Sequence, residues 1–246
     1  MIDFTGQHFI ITGAAGGMGR AISSLFSELG ATLSLWDKTA AVYELGQHLS
    51  QQAWQTDLTD PNALRLNADK CHGRAPLTGL ILAQGVLSLG AAEELHLDDW
   101  NRCITHNATA SMLCCQAVIP LLTSGGSITQ IGSNAAYIAR HNMAAYAASK
   151  ACIAQYLNCL GLELAPRGIR CNQLAPGSTS TAMQADMPDA AVIIRGQLDQ
   201  FRAGIPLGRL ASPEDIAKAC AFLASTAANH ITLARLTIDG GASLGC

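Results

Sequence analysis

Short runs of consecutive apolar residues recur along this chain, and most are followed by a segment with helical periodicity. The first run is His8–Thr12, and after a glycine-rich turn apolar residues return every three or four positions from Ala21 to Leu29. Continuous apolar runs of this length are typical of strands buried on both faces. Their alternation with helical segments predicts an α/β fold with a parallel sheet and helices on both faces.

About seven strands are expected in this pattern. They are His8–Thr12, Thr32–Trp36, a third ending at Gln55–Leu58, Leu80–Ala83, Ser127–Ile131, Ile169–Leu174 and Leu236–Ile238. Long helices are predicted from about Trp100 to Leu122 and from about Ala144 to Ala165, and Ser212 is predicted to cap a last helix. We expect one doubly wound domain of the Rossmann type over residues 1–246.

Candidate ligand-binding positions lie where these strands end. Ligands of doubly wound sheets bind outside the carboxyl ends of the strands. The residues at such ends are Gly13, Asp37, Asp57, Gly85, Ser133 and Pro176. The connection from Ser178 to Leu207 is longer than most, and long connections at this edge are typical of substrate lids.

A glycine-rich turn, Gly13–Gly19, joins the first strand to the first helix. This context predicts a dinucleotide site, because glycines let the backbone approach a pyrophosphate at a helix N-terminus. Asp37 ends the second strand, where a carboxylate accepts hydrogen bonds from a ribose diol and repels a 2′-phosphate. NAD is therefore predicted over NADP, although Lys38 softens the argument. Asp57 is predicted either to contact adenine or to begin the next turn and cap the next helix.

Composition excludes several classes of function. The 246 residues are 49% apolar and 13% charged, with a net charge of −3 and therefore no basic patch for nucleic acid. We find no secretory or membrane-spanning segment, so we expect a cytoplasmic protein with no membrane partner. Nine cysteines, an odd number without CxxC spacing, indicate neither a disulfide framework nor a metal site.

The two long helices are apolar around most of their circumference. One sheet face cannot bury all of that surface, so subunit contacts are predicted, although helices in a large core are also apolar all round. We expect a homotetramer, with a dimer as the alternative.

The pair Tyr146 and Lys150 carries the candidate chemistry. Positions i and i+4 share a helix face, and an ammonium beside a phenol favours the phenolate and lowers the tyrosine pKa. Tyr146 is therefore predicted to act as a general base. Ser133, at the end of the preceding strand, is predicted to lie beside it.

Together these motifs resemble the short-chain dehydrogenase/reductase family over essentially the whole chain. The matching positions are Thr12-Gly13-x-x-x-Gly17-x-Gly19, Asp57, Asn107, Ser133, Tyr146-x-x-x-Lys150, Pro176-Gly177 and Asp239-Gly240-Gly241. One motif departs: the chain has Leu82-Ala83-Gln84-Gly85 where the family has Asn-Asn-Ala-Gly. The hydrogen bonds that brace the central strands in the family are therefore in doubt here.

The resemblance implies a role for each matched residue. Tyr146 takes the proton from a substrate hydroxyl, Lys150 lowers its pKa and holds the nicotinamide ribose, Ser133 binds the substrate oxygen, and Asn107 holds a water in a proton relay. The implied cofactor contacts are Thr12, Gly13, Gly17, Met18, Gly19, Asp37, Asp57, Leu58, Gly85, Lys150, Pro176, Gly177 and Thr181.

A narrower resemblance is to the 2,3-dihydro-2,3-dihydroxybenzoate dehydrogenases of catechol siderophore synthesis. The segments that carry it are Ile169–Thr179, Met183-Gln184, Arg195-Gly196, Gly204–Gly208, His230–Leu233 and Asp239–Gly245. It implies NAD-linked oxidation of a carboxylated cyclohexadiene diol, followed by aromatisation to a catechol.

A carboxylated substrate requires a cation in the pocket. Arg140, between Ser133 and Tyr146, and Arg195, in the lid, are both candidates for a bidentate pair. Arg140 is slightly favoured because its loop joins two catalytic residues, and either residue is alternatively a solvated surface arginine. Met143 and Met183 are predicted either to wall the ring or to belong to the core.

Two alternatives remain open on the sequence. One is another enzyme of the same fold, a 3-oxoacyl carrier-protein reductase or a sugar or steroid alcohol dehydrogenase; Asp37 argues against the NADPH-linked reductase. The other is a catalytically silent NAD sensor or scaffold, which would not need the intact Ser133, Tyr146, Lys150 and Asn107.

Overall fold

A computed structural model of the protein describes residues 1–71 and 75–243. Within these residues a seven-stranded parallel sheet has the order β3-β2-β1-β4-β5-β6-β7. The strands are β1 His8–Thr12, β2 Thr32–Asp37, β3 Gln52–Gln55, β4 Leu77–Leu82, β5 Ser127–Ile131, β6 Arg170–Pro176 and β7 Arg235–Ile238. The predicted doubly wound sheet is thereby confirmed.

Helices connect the strands and cover both faces of the sheet. They are α1 Gly17–Glu28, α2 Ala41–Leu49, α3 Pro61–Lys70, α4 Leu97–Cys103, α5 Ala110–Val118, α6 Ala144–Leu164, α7 Ala190–Arg195 and α8 Pro213–Ala224. A π-helical turn spans Ile104–Thr109, and 3-10 turns span Ala92–Glu94, Ile119–Leu121, Asn134–Ala136, Ala165–Arg167, Ala182–Asp186, Leu198–Gln200 and Thr226–Ala228.

Two apolar cores lie on opposite faces of the sheet. Helices α1, α2 and α8 pack on one face, where Ile22, Val42 and Ile216 are fully buried. Helices α3, α5 and α6 cover the other face. Because both faces are buried, the central strands β1 and β5 carry no exposed position. This explains the apolar run Phe9–Ile11 within β1, whereas β5 buries polar residues between its two isoleucines.

Polar caps fix where two of these helices begin. The Ser212 hydroxyl accepts a hydrogen bond from the Asp215 backbone N–H (3.2 Å), and the Asp215 carboxylate accepts one from the Ser212 N–H (2.9 Å). This capping box and Pro213 at the first helical position start α8 where the sequence predicts. Asp60 caps α3 in a similar way, by accepting from the N–H groups of Asn62 and Ala63.

The long helix predicted from Trp100 to Leu122 is wrong in detail. It begins earlier, at Leu97, and the π-helical turn Ile104–Thr109 separates α4 from α5. Helix α6, in contrast, lies within one residue of its predicted bounds. π-Helical turns within otherwise regular helices often lie at functional sites. This turn carries Asn107.

The buried arginine Arg170 ties β6 to the end of α8. Its guanidinium donates hydrogen bonds to the carbonyl oxygens of Leu223 (2.7 Å), Ala224 (3.3 Å) and Ser225 (3.1 Å). The last carbonyls of a helix have no partner within the helix, and a cation there also complements the helix dipole. Arg170 therefore supplies the C-terminal cap of α8 from another element.

Replacing Arg170 with methionine is expected to lower the free energy of unfolding by about 2–4 kcal/mol, because it leaves several buried carbonyls without donors. Chemical denaturation measures this. Arg65→Met, at an exposed arginine on α3, is the matched control and should change stability by no more than about 0.5 kcal/mol. Equal stability of the two variants would contradict the capping role.

Large apolar side chains remain exposed on the two helical regions predicted to make subunit contacts. Leu97 of α4 is 70% exposed and Leu162 of α6 is 65% exposed. The predicted assembly stays a prediction. Across the described residues, the helices are too short or too polar to cross a bilayer.

Candidate active site

The turn between β1 and α1 has room only for glycine at its critical positions. Gly13 has φ +65°, and a Cβ atom on it would lie 2.6 Å from the Gln84 backbone. A Cβ on Gly19 would overlap the Gly13 carbonyl oxygen. The backbone therefore folds tightly under the N-terminus of α1, whose free N–H groups suit a phosphate. This cradle fits a dinucleotide pyrophosphate.

A cavity extends from this turn along the carboxyl ends of β1, β2 and β4. Of the predicted cofactor residues, those lining it are Gly13, Gly17, Met18, Gly19, Asp37, Asp57, Leu58, Gly85 and Thr181. Pro176 and Gly177 instead line the adjoining cavity described below. Thr12 is fully buried behind the turn. His106, which the sequence analysis did not assign, also lines the nucleotide cavity, and burial and the neighbouring Lys38 lower its pKa.

Asp37 is held rigidly at the far end of the nucleotide cavity. One carboxylate oxygen accepts a hydrogen bond from the Ala15 N–H (3.0 Å), and the other accepts from the Thr39 N–H and hydroxyl (both 2.9 Å). Each carboxylate oxygen has more than one acceptor site. The side chain is therefore preorganised to receive a further donor such as a sugar hydroxyl.

Asp57 begins a turn but does not cap the next helix. Its carboxylate accepts from the Thr59 N–H (2.9 Å) and hydroxyl (2.7 Å), and these bonds lower its pKa. The cap of α3 is Asp60, so that part of the prediction is wrong. Asp57 is exposed to the nucleotide cavity, which leaves adenine contact as the open alternative.

Gln84 braces the strand ends where the family asparagines are missing. The Thr12 hydroxyl donates to its side-chain oxygen, and its side-chain nitrogen donates to the Ser111 hydroxyl of α5 (2.8 Å). One glutamine therefore joins the end of β1 to α5. Gln84 thereby supplies side-chain hydrogen bonds that brace the central strands, although the motif lacks the asparagines of the family.

Tyr146 and Lys150 share one face of α6, beside the ends of β4 and β5. The Lys150 ammonium nitrogen lies 5.9 Å from the Tyr146 ring centroid and donates to the Ile131 carbonyl (3.1 Å). The Ser133 hydroxyl lies close enough to the Tyr146 hydroxyl to lower the pKa of the phenol. A Cβ on Gly85 would lie only 3.1 Å from the Lys150 nitrogen, so Lys150 lies behind the part of the nucleotide cavity that Gly85 lines, although Lys150 itself lines neither this cavity nor the adjoining one.

Burial controls the protonation of this pair. It lowers the pKa of Lys150 to about 8. It raises the pKa of Tyr146, and the Ser133 hydroxyl offsets only part of that rise. The expected net fall in the tyrosine pKa is therefore wrong, because desolvation disfavours the phenolate more than the neighbouring groups stabilise it.

Asn107 lies on the π-helical turn and connects three elements. Its side-chain oxygen accepts from the Val86 N–H (2.7 Å), and its nitrogen donates to the Val86 carbonyl (2.9 Å) and the Ser149 hydroxyl (2.8 Å). Asn107 thus fixes the loop after β4 against α6. The predicted water-holding role stays a prediction.

A second cavity begins at the Ser133 and Tyr146 side chains and extends under the residues of the predicted lid. Of the predicted substrate residues, Arg140, Met143 and Met183 line it. Met18, Thr181 and Met183 line both cavities. The two cavities therefore meet at these three residues.

Arg195 does not reach this second cavity. It is exposed at the end of α7, whereas Arg202, seven residues later, lines the cavity. The sequence offered no periodicity in this segment from which the inward-facing arginine could have been chosen.

The C-terminal turn supports the active-site loop. Asn134, next to Ser133, donates to the Asp239 carboxylate (3.2 Å) and to the Ser243 hydroxyl (3.3 Å), and Ser243 also donates to Asp239. Burial opposes ionisation of Asp239, but these hydrogen bonds outweigh it and lower the pKa. Ala242, on this turn, lines the second cavity. Leu244 and Gly245, the end of the matching motif, lie outside the described residues.

Comparison with known proteins agrees with this geometry. A family model described as enoyl-(acyl carrier protein) reductase matches residues 13–243. The 2,3-dihydro-2,3-dihydroxybenzoate dehydrogenase of Bacillus subtilis (strain 168) is 38% identical, with 98% of this chain and 97% of that protein covered. The protein of the same name from Escherichia coli (strain K12) is 36% identical, with 99% and 100% covered.

The chain belongs to the short-chain dehydrogenase/reductase family. A crystal structure of a short-chain dehydrogenase/reductase from Brucella melitensis, named as a glucose/ribitol dehydrogenase, superposes with a TM-score of 0.89 at 28% identity and covers 98% of each chain.

As a short-chain dehydrogenase/reductase the protein is an enzyme that uses a nicotinamide cofactor. The glycine cradle and Asp37 fit the phosphate and sugar ends of such a cofactor. The described residues contain no group of histidine, cysteine or acidic side chains that could hold a metal ion.

Proposed function

We propose that this enzyme oxidises 2,3-dihydro-2,3-dihydroxybenzoate to 2,3-dihydroxybenzoate with NAD, in the cytoplasm, as a step of catechol siderophore synthesis. The observation that carries the proposal is the second cavity. Its lining includes the catalytic candidates Ser133 and Tyr146, the predicted methionines Met143 and Met183, and two arginines, and this combination supports a ring substrate that carries a carboxylate. The similarity to two dehydrogenases of that name supports the substrate.

The proposed reaction removes one proton and one hydride from the substrate. Tyr146 takes the proton of one ring hydroxyl, and the Ser133 hydroxyl holds the same oxygen. NAD supplies the hydride acceptor for the carbinol carbon. The ketone that results loses a ring proton and gains a hydroxyl proton, and the aromatic catechol formed makes the oxidation favourable.

Lys150 and Asn107 support this proton transfer. The Lys150 ammonium, 5.9 Å from the Tyr146 ring centroid, offsets part of the cost that burial imposes on the phenolate, and we propose that it also holds the nicotinamide ribose. Asn107 fixes the loop that carries Gly85, so that the backbone stays close to the cofactor. We also propose that Asn107 orders a water through which the proton leaves.

Arg140 is the first residue that we assign to the substrate carboxylate. It lines the cavity on the loop between Ser133 and α6, so it can pair with an anion while the ring contacts Met143 and Met183. A guanidinium and a carboxylate form a strong, directional pair when water is excluded. This contact would orient the ring hydroxyl toward Tyr146.

Asp37 is the basis for proposing NAD rather than NADP. Replacing Asp37 with serine is expected to lower kcat/KM with NAD by about tenfold or more and to raise it with NADP, because a carboxylate beside a 2′-phosphate costs several kcal/mol. Steady-state kinetics with both cofactors measure the ratio. Asp57→Ser is the matched control, since it removes another carboxylate from the same cavity. An equal gain in NADP use by both variants would refute the assignment to Asp37.

The proposed function is tested by mixing the purified protein with NAD and 2,3-dihydro-2,3-dihydroxybenzoate. Formation of NADH together with 2,3-dihydroxybenzoate, identified by chromatography, is the expected result. A folded protein that binds NAD but forms no NADH from this substrate would overturn the proposal. A panel of sugar alcohols and hydroxyacyl thioesters tested in parallel would then show which dehydrogenase activity the site has.

A further inference from the structure

Two arginines from different elements line the second cavity. Arg140 belongs to the loop that follows Ser133, whereas Arg202 belongs to the lid, close to its C-terminal end. Arg140 has a fixed position relative to the catalytic residues, because its loop runs directly into α6. Arg202 is far along the chain from the catalytic residues. A contact that holds its side chain near Arg140 therefore also fixes the position of the lid.

The backbone of Arg202 is held in a small hairpin. Its N–H donates to the Gln197 carbonyl (3.0 Å), and its carbonyl accepts from the Gln197 N–H (2.8 Å). Glycines flank this pair at 196 and 204, with φ of +90° and +89°, and a Cβ on Gly196 would lie 2.5 Å from the Arg202 carbonyl oxygen. The hairpin is therefore a compact unit that presents Arg202 to the cavity.

The tip of the hairpin lacks packing partners in the described chain. Leu198 is 82% exposed and Phe201 is 90% exposed. Because few buried apolar contacts hold the tip, the position of the hairpin depends on contacts at its cavity side. Segments with few such contacts open at a low cost in free energy.

The positive charge of Arg202 is partly buried and lies near the positive charge of Arg140. Burial and the positive charge of Arg140 both lower the pKa of Arg202, so the two guanidinium groups repel each other across the cavity. The Arg202 side chain makes no salt bridge or hydrogen bond to any residue that the structure describes. A carboxylate placed between the two arginines would remove this repulsion and form charge-assisted hydrogen bonds with both.

Two glutamines add unsatisfied polar atoms to the same cavity. The side-chain nitrogen of Gln184 and the side-chain oxygen of Gln197 are buried without a hydrogen-bond partner among the described residues. Buried polar atoms nearly always have partners. A ligand with both acceptors and donors, such as a carboxylated diol, would satisfy them.

We propose that the substrate carboxylate bridges Arg140 and Arg202, so that the substrate itself draws the lid hairpin onto the active site. The proposal rests on the proposed function, because it takes a ring diol with a carboxylate as the substrate class. It makes Arg202 a specificity-determining residue: a diol without the carboxylate enters the cavity but does not hold the hairpin closed.

The test compares carboxylated and carboxylate-free ligands in four variants. The variants are Arg202→Met, Arg202→Lys, Arg140→Met and Arg195→Met, the last being a matched control because Arg195 is an exposed arginine of the same lid. Each is assayed for kcat and KM with 2,3-dihydro-2,3-dihydroxybenzoate and with 3,5-cyclohexadiene-1,2-diol, which lacks the carboxylate.

Arg202→Met is expected to lower kcat/KM for the carboxylated diol by about 10- to 100-fold, mostly through KM, since it removes a hydrogen bond to a charged group. The carboxylate-free diol should change by less than about twofold, Arg195→Met should match the wild type, and Arg202→Lys should recover part of the loss. An equal loss with both diols, or no loss, would overturn the proposal.

A second readout separates failure of this proposal from failure of the proposed function. Chymotrypsin cleavage after Phe201 is followed with NADH present, with and without 2,3-dihydroxybenzoate or catechol. Protection by 2,3-dihydroxybenzoate alone, lost in Arg202→Met and kept in Arg195→Met, supports the bridge even if the wild type oxidises neither diol. Equal protection by both ligands, or protection that persists in Arg202→Met, contradicts it.

Discussion

Replacing Tyr146 with phenylalanine is expected to lower kcat by about 10³-fold or more, with little change in cofactor affinity. The variant keeps the ring and loses only the hydroxyl that lies beside Ser133 in the second cavity. A positioned general base contributes about 10²- to 10⁴-fold, and the other titratable side chains among the described residues that line the second cavity are two arginines, which stay protonated. Pre-steady-state and steady-state NADH formation measure the loss.

The matched control for that variant is Tyr137→Phe. Tyr137 lies in the segment between Ser133 and Tyr146, but its hydroxyl donates to Gln173 and its ring packs against the Arg235 guanidinium, 3.8 Å away. It does not line either cavity. Its loss should leave kcat within about twofold of the wild type. If the Tyr146→Phe enzyme retained a tenth of the wild-type kcat, Tyr146 would not be the general base.

The parts of the fold predicted from sequence are those fixed by local patterns. Strand β1 is read correctly because all five of its residues are buried, so no polar position interrupts the apolar run. The start of α8 is also read correctly, since Ser212, Pro213 and Asp215 act on neighbouring backbone groups only. Patterns of this kind need no knowledge of the rest of the chain.

The π-helical turn shows where local patterns fail. Its residues, Ile104–Thr109, have no proline or glycine to mark an irregular helix, and the apolar residues Ile104 and Ala108 keep the four-residue spacing of a regular helix. The turn is stabilised by contacts of Asn107 with Val86 and Ser149. Those partners are distant in sequence, so the distortion follows from tertiary structure.

The residues of the candidate site also fall into those predicted from a local pattern and those that depend on partners distant in sequence. The glycine turn and the Tyr146–Lys150 spacing are visible in the sequence, because each depends on one turn or one helix. Gln84 was missed because its partners, Thr12 and Ser111, belong to two other elements. Arg202 was missed because only the hairpin formed with Gln197 turns it inward, and nothing in the composition of residues 178–207 distinguishes it from Arg195.

Tyr146 and Lys150 are expected to titrate as a pair. The protonated pair, phenol with ammonium, cannot accept a proton from a substrate, and loss of one proton creates the active form. The group with the lower pKa loses its proton first, and the pKa of Lys150 is about 8. The proton that remains is shared between two neighbouring groups, so the singly protonated pair includes the form with phenolate and ammonium, which is the active one. The rate of alcohol oxidation should therefore rise with pH, by about tenfold per pH unit below about 8, and level off above it.

Lys150→Met is expected to lower kcat/KM by about 10²-fold at pH 8 and to move this rise in rate to above pH 10. The phenol must then lose its proton alone, and burial holds the pKa of Tyr146 above its ordinary value of 10. The pH dependence of kcat/KM from pH 6 to 10.5 measures the shift, with exposed Lys218→Met as the control that should keep the rise at about pH 8. A Lys150→Met enzyme whose rate still rose through pH 8 would assign that titration to another group.

The same variant is expected to fold at least as stably as the wild type, which separates loss of chemistry from loss of structure. In the folded state burial lowers the Lys150 pKa from the usual 10.5 to about 8, so the unfolded chain binds this proton more tightly. The charged lysine therefore costs stability, fully below pH 8 and less as the pH rises toward 10.5, by about 3 kcal/mol at most. Methionine carries no such cost, although it leaves the Ile131 carbonyl without its donor. The expected result at pH 7 is an unchanged or higher Tm together with the lost activity, and a large fall in Tm would show that the ammonium stabilises the fold instead of serving the reaction at its expense.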